Sequence, residues 1–327
     1  MNTGKPVVLV AGDMAFDRLG WGTPPSSPSR AGDIPVPKQS LSPNYDMITR
    51  PGGVFLLAGL LRNAAGDPPR FHVVSYDIPE EGSPGAEGIV YSTAFLAEFP
   101  ASPTDPSPVY RIASFAGYSS NPKQNPPTLS IKSPQIPDFL VVDDAGNYFR
   151  YDPSAWPEAL TKGESSITIV LKMNRPLCEG PLWKYLAGKN SDRLYVIVSG
   201  DDLRAHGAHI SRQLSWEKTA EDFIWQIQNN PSLRELASCR HLIVRFGLDA
   251  AIYYSCGEKG ISAELIYDPL LYEGGFREKI RGEMQGISDA FISGFTGELI
   301  TGGRDAVRNA IMTGILSSRR LYQKGFG

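Results

Sequence analysis

The sequence is short of the features that announce many protein classes. It has three cysteines in 327 residues, Cys178, Cys239 and Cys256. They are widely spaced, odd in number and form no C-x-x-C pair, so they supply no disulfide framework and read as packing residues in a reduced compartment. No apolar run reaches the length of a membrane span. The first, residues 7–10 (VVLV), is also too short for a signal peptide, and Asp13 soon follows it. A cytoplasmic protein is expected. There is no basic excess either: 32 Lys and Arg stand against 35 Asp and Glu, a formal net charge of -3, and nothing announces DNA or RNA. That balance suits an anionic ligand only where local cations meet it. The common signature loops are missing as well: no G-x-x-x-x-G-K-[ST], no G-x-G-x-x-G after a strand, no G-x-S-x-G. His206 and His209 are three residues apart, but no cysteine or third histidine lies near them, so no metal site is expected there.

What is present is an ordinary globular composition, 41% hydrophobic and 20% charged, in a chain long enough for a sizeable core. A single domain over 1–327 is expected. Proline and glycine gather in two excursions. The first contains Pro24, Pro25, Pro28, Pro35 and Pro37. The second covers about 79–137 and holds two strand-like pieces, 88–93 and 108–116. Together, about 18–50 and 79–137 would form a small β lid standing off the main body. The chain stops soon after a helical stretch, at Lys324-Gly325-Phe326-Gly327, which admits a reading as one domain of a longer protein.

Outside the excursions, short apolar runs alternate with helical patterns. Residues 7–10 and 72–75 read as strands, as do 139–142, 167–171, 194–198, 241–246 and 251–254. Residues 54–62 (VFLLAGLLR) are helical in type. In 215–228, Ala220, Phe223, Ile224 and Ile227 share one helical face, with Ser215 as N-cap. Trp216, Phe223 and Trp225 are core and surface of that helix rather than a cofactor box. Helices are also expected over 288–299 and 305–321. This alternation predicts a doubly wound, mostly parallel sheet with helices on both faces.

Four segments suit chemistry, and each also has a plain structural reading. Gly12-Asp13-Met14-Ala15-Phe16-Asp17 follows the first strand, where open α/β sheets bind ligands. Asp13 and Asp17 suit substrate hydroxyls or simple capping of a turn. Arg50-Pro51-Gly52-Gly53 brings a glycine pair to the start of a helix, for close approach to a ligand or for a turn. Gly286-Ile287-Ser288-Asp289 leads into a late helix, whose N-terminus favours an anion; Ser288 or Asp289 equally suits a cap. Phe246-Gly247-Leu248-Asp249-Ala250 reads as a hairpin-like turn at a strand end.

In this order the segments resemble the landmarks of the ribokinase-like (PfkB-type) carbohydrate kinases, nearest their heptose-kinase branch. The family opens with a strand and a G-D-x-x-x-D turn, matched by Gly12 to Asp17. A glycine pair opens a helix, matched by Gly52-Gly53. A late D-T-x-G-A-G-D segment is matched by Glu283-Met284-Gln285-Gly286-Ile287-Ser288-Asp289. The resemblance implies transfer of the γ-phosphoryl of ATP, with Mg²⁺, to a sugar-like hydroxyl. Asp289 would be the general base, and Gly286, Ile287 and Ser288 the anion hole. Asp13, Asp17, Gly52 and Gly53 would meet the substrate, and Gly247 and Asp249 the nucleotide. It also implies a homodimer paired through the lid; the charge balance and the lack of a long apolar run point to no nucleic-acid or membrane partner.

The sequence departs from the family in places. Large apolar residues, Val54-Phe55-Leu56-Leu57, follow the glycine pair. The anion hole reads Gly-Ile-Ser in place of Gly-Ala-Gly, and Glu283-Met284 replaces Asp-Thr. The family's N-x-x-E segment is absent near 198–203, where Asp201 and Asp202 would help hold Mg²⁺ through water. Two functions therefore stand side by side: a kinase on an unusual substrate, and a degenerate module that senses a nucleotide or sugar or binds a partner. An unrelated α/β enzyme is the third.

Overall fold

A computed structural model describes residues 4–21, 47–80, 89–102, 105–115, 131, 136–161, 166–189, 192–209, 216–231, 233–248, 250–257, 260–268, 286–302 and 306–324. The chain runs β1 (Val7–Gly12), β2 (Met14–Trp21), β3 (Met47–Gly52), α1 (Gly53–Ala65), β4 (His72–Val74), β5 (Val90–Ser102), β6 (Asp105–Phe115) and β7 (Phe139–Asp144). It continues through α2 (Glu158–Thr161), β8 (Thr168–Met173), α3 (Gly180–Lys189), β9 (Leu194–Ser199), α4 (Gly200–Ala205) and α5 (Trp216–Asn229). Then follow β10 (His241–Phe246), β11 (Ala250–Gly257), β12 (Gly260–Tyr267), α6 (Ile287–Gly302) and α7 (Val307–Lys324).

The apolar runs line up as one eight-stranded sheet, ordered β12-β11-β10-β9-β8-β7-β1-β4. The strands from β4 to β10 are parallel. β11 and β12 close one edge as an antiparallel pair, with Gly247 and Leu248 in the turn between β10 and β11. Every residue of β1 and of β8 is buried, as strands covered on both faces require. The two covers can be read from neighbouring tyrosines of β11. Tyr254 donates to the Ala220 carbonyl of α5 at 3.4 Å. Tyr253 stands opposite Glu264 of β12, which pairs with Arg308 of α7. Consecutive strand residues point to opposite faces, so α5 and α7 lie on opposite sides.

The helices follow their sequence patterns. α1 buries Val54, Phe55, Leu57, Ala58, Leu61 and Ala65, a stripe at helical spacing, and ends at Gly66 with φ +83°. In α5 Ala220, Phe223 and Ile227 are buried, Ile224 is half-buried, and Trp225 lies on the surface. Its expected cap, Ser215, is outside the described residues. The three cysteines are free. Among the described residues, no helix is long and apolar enough to cross a membrane.

The excursions contribute a second sheet of four strands, ordered β3-β2-β5-β6, in which β2 and β5 are parallel. The strand pieces expected at 88–93 and 108–116 extend into β5 and β6. Much of the two lid segments lies outside the described residues.

The segment expected to be a turn is instead the crossover between the sheets. β1 ends at Gly12, β2 begins at Met14, and Asp13 alone lies between them. Asp17 therefore sits inside a strand. Gly12 makes the crossover possible: its φ is +142°, and a Cβ there would lie 2.2 Å from the Asp143 carbonyl oxygen. Asp13 then secures it. Its carboxylate accepts the backbone N–H groups of Ala145, Asn147 and Phe149 at 2.9, 3.1 and 3.0 Å. One side chain thus ties the loop after β7 to the point where the chain changes sheets.

Gly12→Ala is expected to cost about 3 kcal/mol or more of stability, because backbone on β7 cannot yield as a flexible side chain can. Urea denaturation of the purified variant checks this; a loss below about 1 kcal/mol would contradict it.

Candidate active site

Parallel registry brings several charged side chains to one place. Residues paired across a sheet point to the same face. Asp143 of β7 pairs with Lys172 of β8, which pairs with Ile197 of β9. Arg245 of β10 pairs with Ser199, two residues beyond Ile197. Asp143, Lys172 and Arg245 therefore share a face at the carboxyl ends of their strands. α6 covers that face, with Phe295 against Tyr195 of β9 at 5.7 Å between ring centroids.

The start of α6 meets these charges. Lys172 Nζ lies 2.6 Å from Asp289 Oδ1 and 3.1 Å from Asp143 Oδ1. Arg245 donates from Nη2 to Ser288 Oγ at 2.6 Å and from Nη1 to the Gly247 carbonyl at 3.0 Å. Gly286 precedes the helix with φ +88°, and its carbonyl accepts the Ala290 N–H at 2.9 Å. The N–H groups of Ile287, Ser288 and Asp289 precede that first helical bond, at the end of the helix where N–H groups point outward. Together with the helix dipole they favour an anion at this end.

The second sheet approaches from the other side. Asp17 and Arg50 are cross-strand partners in β2 and β3, and Arg50 Nε lies 3.8 Å from Asp17 Oδ2. A Cβ on Gly52 would lie 2.3 Å from Asp17 Oδ1, so glycine is what lets that carboxylate lie across β3. Gly53 starts α1 close to the crossover, where Val54 N–H donates to the Asp13 carbonyl at 3.1 Å. Arg50 also reaches toward α6: its Nη2 lies 4.0 Å from where a Gly286 Cβ would be. The guanidinium thus extends from Asp17 to the helix start.

Asp17, Gly52, Gly53 and Gly286 to Asp289 are therefore brought into one region. Asp13 lies beside it, fully buried, with both oxygens turned to the 145–149 loop. Gly247 is exposed in the turn after β10, with φ +59°. Asp249 is outside the described residues, as are Glu283, Met284 and Gln285. Asp201 and Asp202 stand in the first turn of α4 and are engaged otherwise. Asp202 accepts from Ser199 Oγ at 2.7 Å and lies 3.2 Å from Arg175 Nε. Asp201 pairs with Arg204. With an arginine at each carboxylate, this pair does not fit a divalent cation. Among the described residues, no group of three or more His, Cys, Asp or Glu could hold a metal ion.

Sequence reasoning gave no role to Arg50, Asp143, Lys172 and Arg245. A signal existed for two of them. The apolar runs read as strands, 139–142 and 167–171, stop one residue before Asp143 and Lys172. A charged residue at the carboxyl end of a buried parallel strand is where a site is expected.

Burial dominates the electrostatics. It raises Asp13 to about 7, with the Asp144 charge adding to the effect and the N–H groups of Phe149 and Asn147 opposing it. It raises Asp143 to about 6, against the pull of Lys172. Burial alone would depress the Lys172 ammonium, but the charges of Asp143 and Asp289 outweigh it and hold the group above its usual range. Burial lowers Arg50, while Asp17 and then Asp289 oppose that shift. Asp144 is raised by burial, against its 2.7 Å ion pair with the fully buried Arg150.

No protein-family model matches the sequence, and no curated protein matches it. Solved structures do share its fold. Adenosine kinase from Anopheles gambiae, in complex with P1,P4-di(adenosine-5) tetraphosphate, aligns over 98% of this chain and 96% of its own, with a TM-score of 0.54 and 12% identity. Ribokinase from Cryptococcus neoformans var. grubii serotype A, in complex with ADP, aligns over 96% and 93%, with 0.52 and 15%. A putative ribokinase from Agrobacterium tumefaciens aligns over 99% and 93%, with 0.50 and 14%. The fold is ribokinase-like, as the resemblance implied.

The raised carboxylates set a pH dependence. Between the ordinary value of 3.8 and the folded values near 6 and 7, the folded state keeps protons that the unfolded chain has released. Stability is therefore expected to fall as pH rises from about 4 to 7, by up to ~1.4 kcal/mol per pH unit for each such group. Urea denaturation at pH 5 and pH 7 checks the sign, and Asp13→Asn should flatten the slope. Stability that rises over that interval would contradict the assignment.

Proposed function

We propose that this chain is an ATP-dependent kinase of ribokinase type, which transfers a phosphoryl group to the hydroxyl of a sugar-like acceptor with Asp289 as general base. The observation that carries this reading is the convergence at the start of α6. Asp289, the helix N-terminus and three cations, Arg50, Lys172 and Arg245, meet there, and Arg50 connects them to Asp17. Phosphoryl transfer asks a protein chiefly for positioning and for charge opposite the moving oxygens. In this reading the acceptor lies between Asp17 and Asp289, beside Gly52 and Gly53. The N–H groups of Ile287 and Ser288 and the Arg50 guanidinium face the phosphoryl oxygens, and Asp289 takes the acceptor's proton. Gly247 and Asp249 lie toward the nucleotide, and Asp13 holds the crossover that carries Asp17. The two lid segments, about 18–50 and 79–137, cover the acceptor within a single domain over 1–327 and pair in a homodimer. The chain would act in the cytoplasm.

Support for ATP as donor comes from the cations at the helix start and from the fold shared with structures in complex with ADP and a dinucleoside tetraphosphate. Asp201 and Asp202 are left out of the reaction for the reason given above. The motifs point to the heptose-kinase branch, so heptoses belong in the acceptor panel beside hexoses, pentoses and nucleosides.

One observation favours a second reading. The Lys172 ammonium sits against the carboxylate that would accept the proton. With Ile287 and Ser288 in the anion hole, this also suits a module that binds a nucleotide or sugar without turning it over, as a sensor or partner domain.

One experiment separates the two. Purified protein is offered ATP, a divalent cation and the acceptor panel, beside Asp289→Asn. The kinase reading expects turnover that falls about 100-fold or more in the variant. Turnover unchanged in Asp289→Asn contradicts the role given to that residue. No turnover on any acceptor, with a rise in melting temperature on adding ATP, supports the binding module instead.

A further inference from the structure

Lys172 is an unexpected residue for its place. β8 is buried throughout, and the positions before Lys172 on the same face are Thr168 and Val170. An apolar side chain would pack there without the cost of stripping an ammonium of water. Buried ion pairs often add little to stability, and replacing a whole pair with apolar groups is frequently neutral or favourable. The geometry offers the charge a task. The Asp143–Lys172 registry is set by two central strands, among the least movable parts of the fold. The ammonium takes Oδ1 of Asp289 at 2.6 Å, while Asp143 at 3.1 Å supplies the second negative charge that lets the cation stay buried. Asp289 is thus held from beneath by the sheet as well as by its place in the first turn of α6.

We propose that Lys172 is a positioning residue for the kinase reaction: it fixes Asp289 by Oδ1, so that Oδ2 is the one oxygen presented to the acceptor hydroxyl. This rests on Asp289 acting as the base. The proton passes from the acceptor oxygen to Oδ2 as the bond from that oxygen to phosphorus forms and the bond to the leaving nucleotide breaks. In a loose phosphoryl-transfer transition state, placement of the attacking hydroxyl counts for more than proton affinity. Loss of placement by about 1 Å costs on the order of 100-fold in rate.

The test is steady-state kinetics on the full chain. It compares wild type, Asp289→Asn, Lys172→Met, Lys172→Ala and the double variant Lys172→Met/Asp143→Asn. The double variant removes one charge of each sign, so a folded protein is kept even if Lys172→Met alone does not fold; circular dichroism and melting temperature verify this. The double variant is expected to lose about 100-fold in kcat, with KM for ATP and acceptor within about 3-fold of wild type. Ethylammonium should restore about 10-fold of the lost kcat to Lys172→Ala, a rescue that a purely structural role would not produce. If Asp289→Asn abolishes turnover while the folded double variant keeps kcat within about 3-fold, Lys172 is structural and the positioning role is overturned. If Asp289→Asn retains full turnover, or wild type shows none, the base assignment itself falls and the role of Lys172 falls with it.

Discussion

The Lys172 ammonium sits where the ends of β7 and β8 meet the first turn of α6, between the carboxylates of Asp143 and Asp289. Each neighbour of that charge belongs to a different layer of the construction. Asp143 is fixed by registry within the sheet, and Asp289 by the helix that lies across it. A buried ammonium is tolerated only with such partners, and two buried carboxylates this close are tolerated only with such a cation. Removing one member leaves an uncompensated charge in the core. The same three residues therefore join sheet to helix and place the carboxylate that the proposed reaction needs.

A second polar anchor governs the other half of the region. Asp13 lies between two sheets, and its three backbone hydrogen bonds hold the loop after β7 against the crossover. Because of that anchor, β2 begins at once on a new sheet, and Asp17 and Arg50 arrive as cross-strand partners facing α6. Gly12 and Gly52 serve the same junction by the absence of a side chain, one against the Asp143 carbonyl and one beneath the Asp17 carboxylate. The two anchors touch through β1 and β7, where Gly12 pairs with Asp143.

Much of this was legible in the sequence. Runs such as VVLV, FLVV and HLIVRF marked buried parallel strands, and their alternation with helical patterns marked a doubly wound sheet. The glycine pair at 52–53 and the Gly286 to Asp289 segment marked helix starts. The crossover at Asp13 was not legible, because a strand that changes sheets looks the same as a strand followed by a turn. Lys172, Asp143 and Arg245 were not legible for a different reason. Each is a charge at or near the end of an apolar run, and what makes them a group is parallel registry between strands far apart in sequence. Registry depends on how long connections close, which local pattern does not encode. Arg50 was in view beside the glycine pair, but its reach from Asp17 to Gly286 needed the second sheet to be placed first.

The claim on which the rest depends is that Lys172 and Asp289 act as one unit. A double-mutant cycle in urea denaturation, with Lys172→Met, Asp289→Asn and the two combined, measures this directly without reference to any substrate. The structure predicts a coupling energy of about 2 kcal/mol or more, with the double variant far less impaired than the sum of the single ones. Additivity within about 0.5 kcal/mol would mean that the two groups do not hold one another, and would contradict the account.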